Sequence, residues 1–223
     1  SDKSAKVLQL EGSAGLREVQ SIQSGGGMAL NKCCWHPTEA RFTFVGRSEC
    51  VDIWDVRANR PAQRIATAGN NLNADWSPDG KYLAVGNRSD IITVLDVGSG
   101  KVVNEVKFNC EVNEFAWSAN SDHLLLAHGG PGCGGLKVLK FQPQVNQAGT
   151  GLTQVYQAPA HASPVLGLRV DAHHRRLAMG STDLTVSVWD LDDLVCHRTI
   201  TDVTNTVQHL AFSGNGETLA CSV

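Results

Sequence analysis

The chain has 223 residues, of which 42% are hydrophobic and 18% charged, with a formal net charge of −3. That composition supports a buried core and gives no bulk electrostatic reason to bind nucleic acid or an anionic membrane. Apolar runs fall short of the roughly 18 residues that a membrane-spanning helix needs, and the first residues read as no signal peptide. Seven cysteines without a Cys-x-x-Cys pair point to a reducing compartment rather than a disulfide scaffold.

Ala5 to Leu10 reads as the third strand of a four-stranded unit, and Leu16 to Gln23 as the fourth. The Gly25–Gly27 run that follows lacks the Gly-Lys-Ser/Thr and the helix of a phosphate loop. A periodicity then begins. Trp35-His-Pro-Thr-Glu, Trp76-Ser-Pro-Asp-Gly and Trp117-Ser-Ala-Asn-Ser stand 41 residues apart, and Val170-Asp-Ala-His-His and Phe212-Ser-Gly-Asn-Gly continue the register 42 apart. A second register holds Trp54-Asp55, Leu95-Asp96, Leu139-Lys140 and Trp189-Asp190. A period of about 40–45 residues is that of WD repeats, each of them one four-stranded propeller blade. Between the registers lie short β-branched runs such as Tyr82-Leu-Ala-Val-Gly, Ile91-Ile-Thr-Val-Leu and Lys101-Val-Val-Asn-Glu-Val, separated by Gly, Asn, Asp and Pro. Such runs predict strands, and no segment of about a dozen residues follows the helical period.

The expected fold is therefore all-β: a WD-repeat β-propeller with four complete four-stranded blades plus half-blades at both ends, part of a seven-bladed propeller. A closed five-bladed ring is the alternative, because the two half-blades would together supply one blade. The whole chain, 1–223, reads as one propeller domain. It runs from the end of one blade (1–27) through blades at 28–67, 70–107, 110–157 and 161–201 to the start of a further blade at 205–223. The third blade carries a glycine-rich run, Gly129–Gly135, and a polar segment at 142–153, both read as inserts between strands.

His161, Asp183 and Trp189 occur in an order that could suggest catalysis. In WD blades a histidine, a hydroxyl, an aspartate and a tryptophan form a buried hydrogen-bond relay, and this is the reading adopted, since a buried carboxylate needs donors and an indole N–H an acceptor. Ser181 is the nearby hydroxyl, with Met179 in the strand, and the other blades lack the set. Cys33 and Cys34, like His173 and His174, are adjacent pairs whose side chains point to opposite faces of a strand and do not chelate together. Cysteines here are expected to be buried packing residues. Neither a phosphate loop nor a Gly-x-Ser-x-Gly elbow is present. No catalytic, cofactor-binding or metal residue is assigned, and no cofactor is expected. His173-His-Arg-Arg176, the densest basic run, could meet phosphates but reads as a solvated loop. Asp55-Val-Arg57 after Trp54 completes a Trp-Asp-x-Arg sequence, which in some WD proteins docks the adaptor of a cullin-RING ubiquitin ligase. Propeller geometry places the loops near Arg47–Glu49, Arg88–Asp90 and Asp183–Leu184 on one face and those near Arg57–Arg60 and His173–Arg176 on the other. Arg57, Arg60, Arg88, Asp90, Arg175 and Arg176 are the candidate partner-binding residues.

Several stretches carry a more specific resemblance: Asn71-Leu-Asn-Ala-Asp-Trp-Ser-Pro-Asp-Gly80, Leu83-Ala-Val-Gly-Asn87 with the loss of Trp at Leu95, Glu111-Val-Asn-Glu114 before Phe115-Ala-Trp117, and Asp190-Leu-Asp-Asp-Leu-Val-Cys196. Together they resemble the WD-repeat subunit of the THO complex, the subunit 3 family, along nearly the whole chain and over about the middle two-thirds of a family member. The Gly129–Gly135 run, the 142–153 segment and the His173–Arg176 loop depart from it. The resemblance implies a nuclear, non-enzymatic scaffold subunit of a THO/TREX-type assembly that couples transcription to mRNA packaging and export. It would work beside large helical THO subunits and a DEAD-box RNA helicase, with RNA contact mainly indirect and no membrane. The alternative is a substrate receptor of a cullin-RING ubiquitin ligase.

Overall fold

The computed structural model describes residues 4–11, 15–23, 30–58, 60–143 and 151–222. The Gly25–Gly27 run and residues 144–150 of the polar segment lie outside the described residues.

Every regular element among the described residues is a strand. The β-branched and aromatic runs alternate between packed and open faces, as in Leu30–Trp35, where half-buried and exposed residues strictly alternate. A two-stranded hairpin, β1 (Ser4–Glu11) with β2 (Gly15–Gln23), precedes four sheets of four strands each. The first blade is β3 (Leu30–Trp35), β4 (Arg41–Gly46), β5 (Cys50–Asp55) and β6 (Pro61–Ala66). The second is β7 (Asn71–Trp76), β8 (Tyr82–Asn87), β9 (Ile91–Asp96) and β10 (Lys101–Lys107). The third is β11 (Glu111–Trp117), β12 (His123–Gly130), β13 (Cys133–Phe141) and β14 (Leu152–His161). The fourth is β15 (Val165–Val170), β16 (Arg176–Ser181), β17 (Val186–Asp190) and β18 (Cys196–Ile200), and the pair β19 (His209–Phe212) with β20 (Leu219–Ser222) follows. Strands neighbour one another in chain order within each sheet, the meander of a propeller blade.

Two compact units divide the chain, Ser1–Glu105 and Val106–Val223. In the first, β7 packs on β3 and β4, and Val45, Val51, Ile53, Trp76, Leu83 and Leu95 close the seam between the blades. In the second, β15 packs on β11 and β12, and β19 on β15 and β16. Leu136, Val138, Leu168, Leu177, Met179 and Trp189 fill the first of those seams, and Ala178, Val186, Val207 and Leu210 the second. Each such side chain contributes about 1.5–3 kcal/mol when fully buried, so the seams between sheets, rather than the sheets alone, hold the fold.

One irregularity recurs in all four blades. The first strand shifts register at Asn31, Leu72, Asn113 and Leu166, each four residues before the strand's last residue. A bulge re-aims the side chain that it displaces. Where that side chain is an asparagine, its amide reaches the next blade: Asn31 Nδ2 donates to Asn71 O at 2.9 Å and Asn113 Nδ2 to Val165 O at 2.8 Å.

Four sequence expectations are corrected here. The Gly129–Gly135 run is not a loop insert but the tip of the β12–β13 hairpin, with Gly129 paired to Gly134, Gly130 to Cys133 and only Pro131-Gly132 in the turn. Gly132 has φ +73, the left-handed value that a turn with Pro before Gly requires. Gly129, Gly134 and Gly135 are there for close approach, since a Cβ on Gly129 would lie 2.7 Å from Pro164 Cβ, one on Gly134 would overlap the Ser163 carbonyl oxygen and one on Gly135 the Ala158 carbonyl oxygen. Second, the further blade expected from 205 has its first strand only from His209, because Val207 N–H turns to Ser181 O at 3.2 Å instead of joining β20. Third, none of the cysteines is fully buried: Cys33, Cys133, Cys196 and Cys221 are exposed, and Cys34, Cys50 and Cys110 half-buried, all as free thiols. Fourth, the tryptophans of the first register are not equivalent. Trp76 and Trp117 are buried, while Trp35 is 55% exposed and leans on Phe42 at a ring separation of 5.2 Å.

Candidate partner-binding loops and the fourth-blade relay

The fourth blade brings His161, Asp183 and Trp189 into one network. His161 ends β14, Asp183 sits in the β16–β17 turn and Trp189 lies on β17. Trp189 Nε1 donates to Ser187 Oγ at 2.9 Å, and Ser187 Oγ lies 2.8 Å from His161 Nε2. The Asp183 carboxylate beside Nδ1 only accepts, so the neutral imidazole carries its proton on Nδ1 and accepts the serine hydroxyl's hydrogen on Nε2. That Nδ1–H faces Asp183 Oδ2 at 3.1 Å. Asp183 also accepts from Thr185 Oγ1 at 2.7 Å, Thr185 N at 3.1 Å and Ala162 N at 3.0 Å. The network ties the β14–β15 link to the β16–β17 turn.

Ser187 and Thr185 are the residues that sequence reading missed. Ser181 does not join the histidine: its hydroxyl donates to Pro164 O at 3.0 Å and accepts from Asp183 N at 3.1 Å, so it caps the turn. The signal was present as Thr185-x-Ser187-x-Trp189, alternate positions that share one face of a strand. In the second blade Asn87 takes the place of Ser181, accepting from Ser89 N and Ile91 N at 2.9 and 3.0 Å. In the first blade Asp52 stands where Ser187 does. It turns outward to Arg64 at 2.6 Å, and the buried Trp54 Nε1 makes no hydrogen bond.

Burial pushes the His161 imidazole below its usual 6.5, outweighing the opposing pull of Asp183. Burial also lowers His128, with the Lys137 charge adding to it. Carboxylates behave oppositely: burial works against the charge on Asp183 and Asp171, but bonds from Thr185, and from the Arg176 and Arg175 amides, outweigh it and hold both below 3.8. A depressed histidine binds its proton first in the unfolded chain, so its stabilising contribution is complete above about pH 6.5 and is lost as the pH falls through that value. The carboxylate contribution persists until the pH falls below about 4. Urea-unfolding midpoints are therefore expected to fall in two steps, one between about pH 7 and 5 and one below about pH 4. His128→Asn should shrink the first step and leave the second.

The candidate partner-binding residues separate by blade end. In the first unit, Thr67 N donates to Glu49 O and Arg88 N to Asn70 O, both at 3.0 Å. The Arg47–Glu49 and Arg88–Asp90 turns thus share one end, with Arg88 exposed and Asp90 at φ +58. Arg57 and Arg60 lie at the opposite end, between β5 and β6, both exposed. Arg57 is held by Asp55, Nε to Oδ1 at 2.8 Å and an Nη to Oδ2 at 2.6 Å, although its side chain is 80% exposed. That fork holds the Asp55 carboxyl well below the usual carboxylate range and raises Arg57.

In the second unit, Asp183 and the His173–Arg176 loop sit at opposite ends of β16. The basic loop is balanced rather than cationic. Asp171 Oδ1 accepts from Arg175 N and Arg176 N at 2.7 and 2.8 Å, and Arg176 Nη1 donates to Gly216 O at 3.1 Å. Asp190 and Glu217 complete the walls of the 470 Å³ cleft beside it. Nearby, Asp190, Asp193 and His197 bring ligand atoms within 4.8 Å of one another on an open surface. Asp190 and Asp193 each already accept a local backbone N–H, from Asp192 and Val195.

Comparison with known proteins agrees with this architecture. Residues 38–120 match the family model described as the anaphase-promoting complex subunit 4 WD40 domain, and residues 152–190 match the WD domain, G-beta repeat. THO complex subunit 3 of Arabidopsis thaliana is 32% identical over 98% of this chain and 66% of its own length. WD repeat-containing protein AAC3 of Dictyostelium discoideum is 28% identical over 89% of this chain and 40% of its own. Cell division cycle 20.1, cofactor of APC complex, of Arabidopsis thaliana is 24% identical over 72% and 33%. The chain thus spans 66% of the first of these relatives and 40% or less of the others. With its repeat period, its four meander sheets and these similarities, the chain belongs to the WD-repeat β-propeller family and is related along nearly its whole length to THO complex subunit 3.

Proposed function

We propose that the protein is a non-enzymatic scaffold subunit of a THO/TREX-type nuclear complex that couples transcription to mRNA packaging and export. The observation that carries this reading is the similarity to THO complex subunit 3, which runs over 98% of the chain rather than over one blade. The sheets give it a physical basis. Each blade projects turns from both ends of rigid strands, a form suited to holding several partners at once. In this reading 1–223 acts as one propeller domain, the His161–Asp183–Trp189 set is structural, and Arg57, Arg60, Arg88, Asp90, Arg175 and Arg176 contact protein. Partners are the large helical THO subunits and, within the assembly, a DEAD-box RNA helicase. The carboxylates around Arg175 and Arg176 support indirect rather than direct RNA contact, since net positive charge is what phosphates reward.

The test is a tagged purification of the full-length protein from nuclease-treated nuclear extract, with partners identified by mass spectrometry. Near-stoichiometric THO subunits that survive nuclease are the expected result, and a preparation without any of them rejects the proposal. A cullin adaptor in their place would favour the ligase-receptor reading, and its loss with Arg57→Ala would assign the Trp-Asp-x-Arg sequence. The fork from Arg57 to Asp55 argues against that outcome, because the guanidinium's paired donors are already engaged.

A further inference from the structure

The third blade replaces the relay of the fourth with a different kind of chemistry. Strand registers equate Leu139 with Trp189, Lys137 with Ser187 and His128 with Ser181: Lys137 pairs with Leu126 as Ser187 does with Met179, and His128 with Gly135 as Ser181 sits opposite Thr185 across the turn. Where the fourth blade buries a serine hydroxyl, the third buries an amine. Lys137 is only 8% exposed, and its Nζ donates to Cys110 Sγ at 3.2 Å. His128 is 7% exposed, and its Nε2 is buried without a hydrogen-bond partner. Cys110 lies just before β11, half-buried and a free thiol.

A buried ammonium demands compensation, and here it faces a thiol, among the weakest acceptors that a side chain offers. Structural logic alone would place a carboxylate or carbonyl there. What a thiol adds is redox chemistry: peroxide converts it to a sulfenic acid, and a sulfenic acid condenses with a nearby nitrogen to a sulfenamide.

We propose that Cys110 and Lys137 form an oxidisable pair, joined under hydrogen peroxide by a reversible sulfur–nitrogen bond between Sγ and Nζ. In the first step the sulfur attacks one peroxide oxygen, the O–O bond breaks, and sulfenic acid and one water result. In the second the neutral amine attacks sulfur, the S–OH bond breaks, a second water leaves, and the S–N bond forms. The thiol is oxidised, one peroxide is reduced to two waters, and the joined residues together lose two hydrogens. The amine sheds its ammonium proton to solvent before it attacks. The bond ties the link before β11 to the middle of β13, covalently pinning the edge of the third blade where the fourth blade relies on hydrogen bonds. A thiol reductant reverses it.

The full chain is titrated with hydrogen peroxide, thiols are blocked, and the protein is digested and examined by mass spectrometry. The expected result is a linked pair of peptides containing Cys110 and Lys137, two hydrogens lighter than their sum and abolished by dithiothreitol. Cys110→Ser and Lys137→Arg should each remove it, with folding checked by circular dichroism. Lys137→Arg, which keeps the charge but not the attacking amine, should also raise labelling of Cys110 by a sulfenic-acid trap. Should the arginine variant fold poorly, trapping in the native chain replaces it, and added trap must then compete away the linked peptides. Oxidation of Cys110 to sulfinic acid or to a disulfide without the linked pair, or a link that persists in a folded Lys137→Arg, overturns the proposal.

Discussion

Asp183→Ala is expected to cost about 3 kcal/mol of folding stability, which for a chain of this size lowers the melting temperature by roughly 6–12 °C. The carboxylate accepts from His161 Nδ1, Thr185 Oγ1, Thr185 N and Ala162 N. Removing it strands donors in a site where the His161 side chain is 1% exposed, and a buried donor without a partner costs about 1–3 kcal/mol. Asp183→Asn should be milder, since an amide oxygen replaces one acceptor while its NH₂ meets Ala162 N or Thr185 with the wrong polarity. Neighbouring substitutions rank the network. Ser187→Ala should approach the aspartate in cost, because it separates Trp189 from His161 and leaves both without their bond. Trp54→Phe should cost less than Trp189→Phe, because the Trp54 indole N–H has no hydrogen bond to lose. A double-mutant cycle between Asp183→Ala and Ser187→Ala, read by urea unfolding, should show strong coupling through His161. Additive losses would mean that the histidine does not transmit between them.

The fold was legible because the period of about 40–45 residues is long and its punctuation chemical. Two registers, Trp35, Trp76, Trp117 and Val170 with the turns after them and Trp54, Leu95, Leu139 and Trp189, fix two points in every blade, and the strands between them follow from alternation. The relay was half legible. His161, Asp183 and Trp189 are conspicuous residue types, whereas Ser187 is one hydroxyl among several, selected by lying two residues from Trp189 on the same face of β17. The glycine run misled for a physical reason. Glycine marks open turns and also places where another backbone comes close, and composition does not separate the two. Gly132 is the first kind and Gly134 the second, and only the packing of the Ser163–Pro164 link against the hairpin tells them apart. Of the two bulge asparagines, Asn113 stands in a stretch that carries the family resemblance and Asn31 in no conspicuous motif. Their reach into the next blade depends on a register shift that no pattern of hydrophobicity reports.

That distinction between glycines supports the second large prediction. Gly134→Ala should destabilise by about 3 kcal/mol or more, as overpacking against a backbone that has nowhere to move. The added Cβ would overlap Ser163 O and approach Ser163 C at 3.1 Å, and both atoms belong to the link between β14 and β15. Any relief must push that link away from the hairpin. It would stretch the Asn113–Val165 bond and disturb His161, two residues from Ser163. The expected readouts are a melting temperature lowered by roughly 6–12 °C and faster proteolysis near residues 161–165. Gly132→Ala meets no atom within 4 Å but sits at φ +73, so it should cost only the left-handed penalty of about 1–2 kcal/mol. Gly214→Ala meets no atom either and has no positive φ, and should fall within about 0.5 kcal/mol of the parent. The ranking Gly134 above Gly132 above Gly214 follows if the hairpin tip is part of the seam between the third and fourth blades. Equal and small effects at all three positions would instead return the run to the flexible decoration that its composition suggests.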